Sequence, residues 1–176
     1  MDRRCFGRTV LLAAAYPLMP SGVAVDYGGR ITRAAVMARA HDWLSRKVRY
    51  SQDNRLARWD LNKGRRYRPD CSGFICMAWA IDSRDPRYGR ALTTWELRQV
   101  VTPISRAGLQ PGDVLLRARA GHRGSDHVRL FEAWADPART VATVIESSSK
   151  AGGMQRRTVV LAQAARYKPY RYLRIV

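Results

Sequence analysis

The sequence is short of acid. Its 32 lysines and arginines face 14 aspartates and glutamates, a formal charge of +18 spread from Arg3 to Arg174. Such a field attracts polyanions, whether nucleic acid, an anionic lipid surface or the polymers of a bacterial envelope. A generally basic, soluble surface is the competing reading. Cysteine is scarce as well: only Cys5, Cys71 and Cys76. No pair of Cys-x-x-Cys motifs occurs and the three histidines lack zinc-like spacing, so a structural metal is unsupported and no cofactor is implied. Cys71 and Cys76 stand five apart on one expected helix, point in different directions and should not bridge. Long apolar runs are missing. The best of them, Thr9 to Ala15, is too short to span a bilayer, so no transmembrane segment is expected. Internal repeats and low-complexity segments are absent too. Without a helix-turn-helix, zinc finger or aromatic RNA-binding motif, no specific nucleic-acid partner is expected.

What is present fits one globular domain. A chain of 176 residues with 46% apolar content can bury a full core, and a second domain is not expected. Arg3, Arg4 and Arg8 precede the Thr9–Ala15 run, and Pro20 and Ser21-Gly22-Val23-Ala24 follow. That order reads as a secretory signal over residues 1–24, cleaved after Ala24, ahead of a single domain at 25–176. The mature chain would then keep only Cys71 and Cys76. A free cysteine without a disulfide in an exported protein points to a thiol kept for chemistry.

The domain turns on Arg68-Pro69-Asp70-Cys71-Ser72-Gly73. Pro69 keeps Arg68 extended, and Asp70 is a good N-cap for the apolar helix that follows to about Ile81. Cys71 then falls in the first turn, where unpaired N–H groups and the helix dipole lower a thiol pKa. Gly73 lets another group approach the helix start. The alternative is an inert core cysteine, which is the reading taken for Cys76.

Around this helix, Thr32 caps another running to about Lys47, with Val36, Ala40, Trp43, Leu44 and Val48 on one face. His41 on that helix reads as a surface or hydrogen-bonded histidine. Residues 53–69 read as a polar, arginine-rich loop, and residues 82–90 as another. Thr93 and Glu96 form a capping box for a short helix to about Val100. Residues 109–113 form a turn into a strand at Val114. Strands 127–134 and 140–146 should make an antiparallel hairpin about a turn at Asp136–Arg139, with further strands at 157–161 and 171–175. Helices first and strands later make an α+β layout.

A cysteine hydrolase needs a base for its thiol and a group that orients that base. His127 opens a strand, and a hairpin free of bulges sets Glu146 directly opposite it on the same face. Cys71, His127 and Glu146 are therefore the candidate triad. His122 competes as the base, but from a loop and without an orienting acid at comparable register.

Asp70-Cys71-Ser72-Gly73-Phe74 resembles the nucleophile motif of the NlpC family of papain-like cell-wall cysteine peptidases. Leu109-Gln110-Pro111-Gly112-Asp113-Val114-Leu115 is similar to that family's turn into its central sheet, and His127-Val128 with the alternating strand after it to its histidine motif. The resemblance covers residues 32–176. It implies a papain-like α+β fold, with the nucleophile helix packed on an antiparallel sheet. It also implies Cys71 as nucleophile, His127 as general base and acid, and Glu146 at a third position usually held by His, Asn or Gln. A glutamate there would orient the imidazole and favour a thiolate–imidazolium pair by its charge. Tyr50 matches a tyrosine near the oxyanion hole, or is a rim aromatic. Ser72 belongs to the same substrate-binding region, and the Cys71 N–H is the expected oxyanion donor. The implied activity is cleavage of an amide between D-glutamate and a diamino acid in peptidoglycan, by a secreted or wall-associated monomer. Two further expectations compete with it. One is an amidase or acyltransferase of the same fold. The other is a basic wall-binding protein whose catalysis has decayed.

Overall fold

The computed structural model describes residues 25–82, 91–118 and 126–176. The expected signal segment with Cys5, most of the 82–90 loop and His122 lie outside them.

Helix α1 (Arg33–Ser45) starts where Thr32 Oγ1 accepts the Ala35 N–H at 3.2 Å. Helix α2 (Cys71–Ala78) is capped by Asp70, whose carboxylate accepts the Gly73 N–H at 2.8 Å. Ala80, with φ 52°, turns the chain away after it. Between the helices the stretch expected as loop carries a small hairpin, β1 (Arg58–Trp59) against β2 (Arg66–Tyr67). Two-residue strands show no alternation to read. This pair is set by the buried Asp60, which accepts the N–H groups of Gly64 and Arg65.

The remaining strands are β3 (Val101–Pro103), β4 (Val114–Arg117), β5 (His127–Trp134), β6 (Val141–Ser148), β7 (Gly153–Val160) and β8 (Lys168–Tyr172). They form one antiparallel sheet in the order β3-β8-β4-β5-β6-β7. The architecture is α+β, as expected. Strand β3 was not expected, β7 begins four residues early, and β8 lies three residues before its expected position. The capping box forms in both directions, Thr93 N–H to Glu96 Oε2 at 2.7 Å and Glu96 N–H to Thr93 Oγ1 at 3.2 Å. It starts only a single 3-10 turn, Glu96–Gln99.

Alternation along the strands divides the core. Val114, Leu116, Val128, Leu130 and Ile145 pack beneath α1 and α2, against Val36, Ala40, Trp43, Phe74 and Ile75. Leu115, Phe131 and Val144 face the other way, under Leu161 and Tyr167. The 109–113 turn locks the two halves together. Gly112 adopts φ 91° and its carbonyl accepts the Trp79 indole N–H at 2.9 Å, while the fully buried Asp113 takes Arg33 and Arg171.

A second buried ion pair joins α1 to the β1–β2 hairpin. Arg39 Nη2 lies 2.9 Å from Asp60 Oδ2, and both residues are at most 2% exposed. Arg39 Nε also donates to the Met77 carbonyl at 2.8 Å, and Tyr27 donates to Asp60 at 2.6 Å. Removing one partner of such a pair strands a desolvated charge. Asp60→Ala should therefore cost about 3–5 kcal/mol in urea unfolding. A loss under about 1 kcal/mol would contradict this. Among the described residues no helix is long and apolar enough to cross a membrane. Nor is any group of three His, Cys, Asp or Glu placed there to hold a metal.

Candidate active site

One open cleft of about 1800 Å³ contains the whole candidate set: Tyr50, Cys71, Ser72, His127 and Glu146 line it together. Cys71 is brought there by its helix, His127 by the first residue of β5, and Glu146 by the far half of β6.

The hairpin's register differs from expectation. A β-bulge between Phe131 and Ala133 shifts the pairing, so that Leu130 faces Ile145. Continued towards the cleft, that register sets Arg129 opposite Glu146 and leaves His127 on the diagonal, on the same face. The contact survives the shift. His127 Nε2 and Glu146 Oε2 are 2.6 Å apart, because a diagonal pair on one face is within reach of long side chains.

Glu146 is 1% exposed and accepts from four side chains. Oε2 takes His127 and, at 2.8 Å, Arg129 Nε. Oε1 accepts from Gln155 Nε2 and Arg157 Nε, each at 2.7 Å. Burial opposes its ionisation. The His127 hydrogen bond, the charges of His127 and Arg129 and the Arg157 bond outweigh burial and hold the carboxyl well below the ordinary range. These partners explain why a glutamate stands here: two guanidiniums on neighbouring strands need an anion between them. They also revise its expected effect. The carboxylate's charge is already matched by Arg129 and Arg157, so what it gives His127 is chiefly orientation.

Glu132 is a second depressed carboxylate. Burial raises its pKa, but hydrogen bonds from His41 and Arg156 prevail and lower it. His41, expected to be satisfied, lies 3.1 Å from Glu132 Oε1. Both glutamates bind fewer protons folded than unfolded. Their contribution is complete above the ordinary glutamate value of about 4.3 and is lost as pH falls from there through the folded values. The urea midpoint should hold from pH 7 to 5 and fall steeply below about pH 4. A level midpoint down to pH 3 would contradict the bonding described.

Cys71 departs from expectation in one respect. It is 7% exposed, and burial, with the neighbouring Asp70 carboxylate, pushes its thiol up rather than down. Acting against that are the Thr94 hydroxyl, 3.7 Å from Sγ, and the backbone N–H groups of Val128 and Ser72. The helix start does supply N–H groups, as expected, but desolvation of the sulfur is the larger effect. The thiol therefore rests protonated and needs a base to become a nucleophile. The Val128 contact sets the backbone at the start of β5 against the sulfur. Cys76 is fully buried, its thiol pushed up to about 12, and it fits the inert role. Both cysteines are free.

The tyrosine and serine divide differently. Tyr50 accepts a hydrogen bond from Gln52 at 3.1 Å, and burial with the nearby Cys71 and Asp70 raises its pKa. Its hydroxyl thus stays protonated and can donate into the cleft. Ser72 is 1% exposed, and its Oγ takes a 3.4 Å bond from Arg68, which also pairs with Asp70 at 2.8 Å. Its side chain serves the helix start more than the open cleft. Sequence reasoning missed Thr94, Arg129, Gln155 and Arg157. Arg129 shares His127's face by simple alternation, a readable signal. The β7 pair depends on the Glu146↔Gln155 register, which nothing in the sequence announces.

No protein-family model matches the chain, and no curated protein matches it in sequence. The functional reading therefore rests on the residues and their geometry.

Proposed function

We propose that the chain is a cysteine hydrolase of the papain-like NlpC kind, exported through residues 1–24, that cleaves an amide in the peptidoglycan stem peptide. The observation that carries this is the 2.6 Å His127 Nε2–Glu146 Oε2 contact in the cleft that holds the Cys71 thiol. With Nε2 held by the carboxylate, Nδ1 is the ring nitrogen left to accept a proton.

His127 Nδ1 takes the Cys71 proton as the sulfur attacks the scissile carbonyl carbon. The oxyanion that forms is met by the Cys71 N–H, in the first turn of α2 where no intrahelical carbonyl is available, and by the Tyr50 hydroxyl. Collapse breaks the C–N bond, and His127 gives its proton to the departing amine. A thioester on Cys71 remains. Water, deprotonated by the same imidazole, then attacks it and releases the acid and the free thiol. The bond proposed is that between D-glutamate and the diamino acid. The excess of basic residues, which persists without residues 1–24, holds the protein to an anionic wall.

The test is digestion of purified peptidoglycan followed by mass spectrometry of the released fragments. New D-glutamate carboxyl and diamino-acid amino termini are expected. New termini at another amide or ester would mean an amidase or acyltransferase, and fragments no different from a buffer control would leave only a wall-binding role.

A further inference from the structure

Three guanidiniums gather behind His127, and Glu146 engages two of them. Arg129 and Arg157 bond the carboxylate; Arg117 does not. Arg117 ends β4 directly opposite His127 in the strand register, so the two side chains share a face. Its guanidinium lies 5.0 Å from the centre of the Tyr167 ring, which also carries Arg129 at 4.2 Å and meets His127 edge-on at 6.3 Å. No carboxylate or carbonyl among the described residues bonds Arg117, and its Nε is buried without any hydrogen-bond partner. Arg117 nevertheless lines the cleft.

A guanidinium held against an aromatic face at a cleft wall, its Nη groups bonded to no described carboxylate, suits a planar anion. Its fork matches a carboxylate's two oxygens. Surface charge alone does not explain it, since a merely solvated arginine would not leave Nε buried and unpaired. The position decides which part of a ligand it meets. His127 is the group that protonates the departing amine, and Arg117 is its cross-strand neighbour. A group beside Arg117 therefore belongs to the leaving side of the scissile bond.

We infer that Arg117, backed by Tyr167, forms an anion subsite that binds a carboxylate carried by the leaving amine of the substrate. This rests on the hydrolase reading above and narrows it: the enzyme selects amides whose amine side is an amino acid with a free carboxylate.

The test uses two peptides, L-Ala-γ-D-Glu-L-Lys and its C-terminal amide, which differ only in that carboxylate. Wild-type kcat/KM should favour the free acid by about tenfold, the worth of one charge-assisted hydrogen bond. Arg117→Gln should bring the ratio near one. Arg117→Lys, which keeps the charge and loses the fork, should fall between, and it serves if the glutamine variant does not fold. A ratio unchanged in both variants, or a wild-type ratio near one, overturns the subsite. An equal loss on both peptides overturns it too, since that marks a purely structural arginine. If the wild type hydrolyses neither peptide, the hydrolase reading fails separately. Calorimetric binding of the same peptides to the full chain carrying Cys71→Ala then decides the subsite. Tighter binding of the free acid that Arg117→Gln abolishes supports it, and equal or absent binding overturns it.

Discussion

Replacing Glu146 by glutamine should damage this protein nearly as much as replacing it by alanine. The two side chains have the same shape, but every partner of Glu146 is a donor: His127, Arg129, Gln155 and Arg157. A carboxylate accepts from all four. An amide offers one oxygen, and its NH2 must then face two donors, which leaves them unsatisfied in a site 1% exposed. The charge is lost too, and Arg129 and Arg157 are left together without an anion. Because Arg157 is half-exposed, the cost falls at the low end for a buried pair, about 3 kcal/mol. Activity should fall by about 10²–10³-fold, because His127 loses the group that fixes its ring and tautomer. Urea unfolding and wall digestion of Glu146→Gln and Glu146→Ala measure both effects. A glutamine variant with near-wild-type stability and activity would show that Glu146 is neither the anion of this cluster nor the orienting group.

Gly73→Ala is expected to be the most destructive single methyl among the described glycines. A Cβ there would lie 1.8 Å from the Arg68 carbonyl oxygen and 2.8 Å from the Asp70 carboxylate that caps α2. The first obstacle is backbone and cannot swing aside. It is also pinned, because the next carbonyl, that of Pro69, accepts the Ser147 hydroxyl at 2.9 Å and the Ser51 N–H at 3.3 Å. Relief requires moving the helix start away from the 68–70 segment, which breaks the cap and displaces Cys71. Overpacking without room to relax costs roughly 3 kcal/mol or more, on the order of 10 °C in melting temperature for a domain of this size. Activity should fall further than stability, since the nucleophile's position moves with the helix. An alanine variant that melts within a few degrees of wild type would mean the two segments do not meet as described.

How much of this was legible in the sequence depended on how local the cause was. Thr32 and Asp70 announced their helices because a cap is a contact between residues three apart. Cys71 at a helix start and the hairpin of strands 127–134 and 140–146 came from patterns of similar reach. The register of that hairpin did not, because the bulge between Phe131 and Ala133 carries no glycine or other marker. The His127–Glu146 contact was expected on a register that does not occur, and it forms through the diagonal geometry of the shifted one. The direction of the Cys71 shift was illegible for a different reason. A helix N-terminus can be read from the residues around it, but desolvation of the sulfur follows from segments such as Thr94 and Val128 that fold over it from far along the chain. The small β1–β2 hairpin, held by Asp60 and joined to α1 through Arg39, was hidden likewise.

The central claim is that Cys71 is the nucleophile for an amide on the D-glutamyl side. Its most direct test is kcat/KM on L-Ala-γ-D-Glu-L-Lys for the wild type and Cys71→Ala, with melting temperatures to show that both are folded. A loss of at least about 10³-fold with the fold intact is predicted, because the other described thiol, Cys76, is buried away from the cleft. Turnover by Cys71→Ala within a few-fold of wild type would contradict the account.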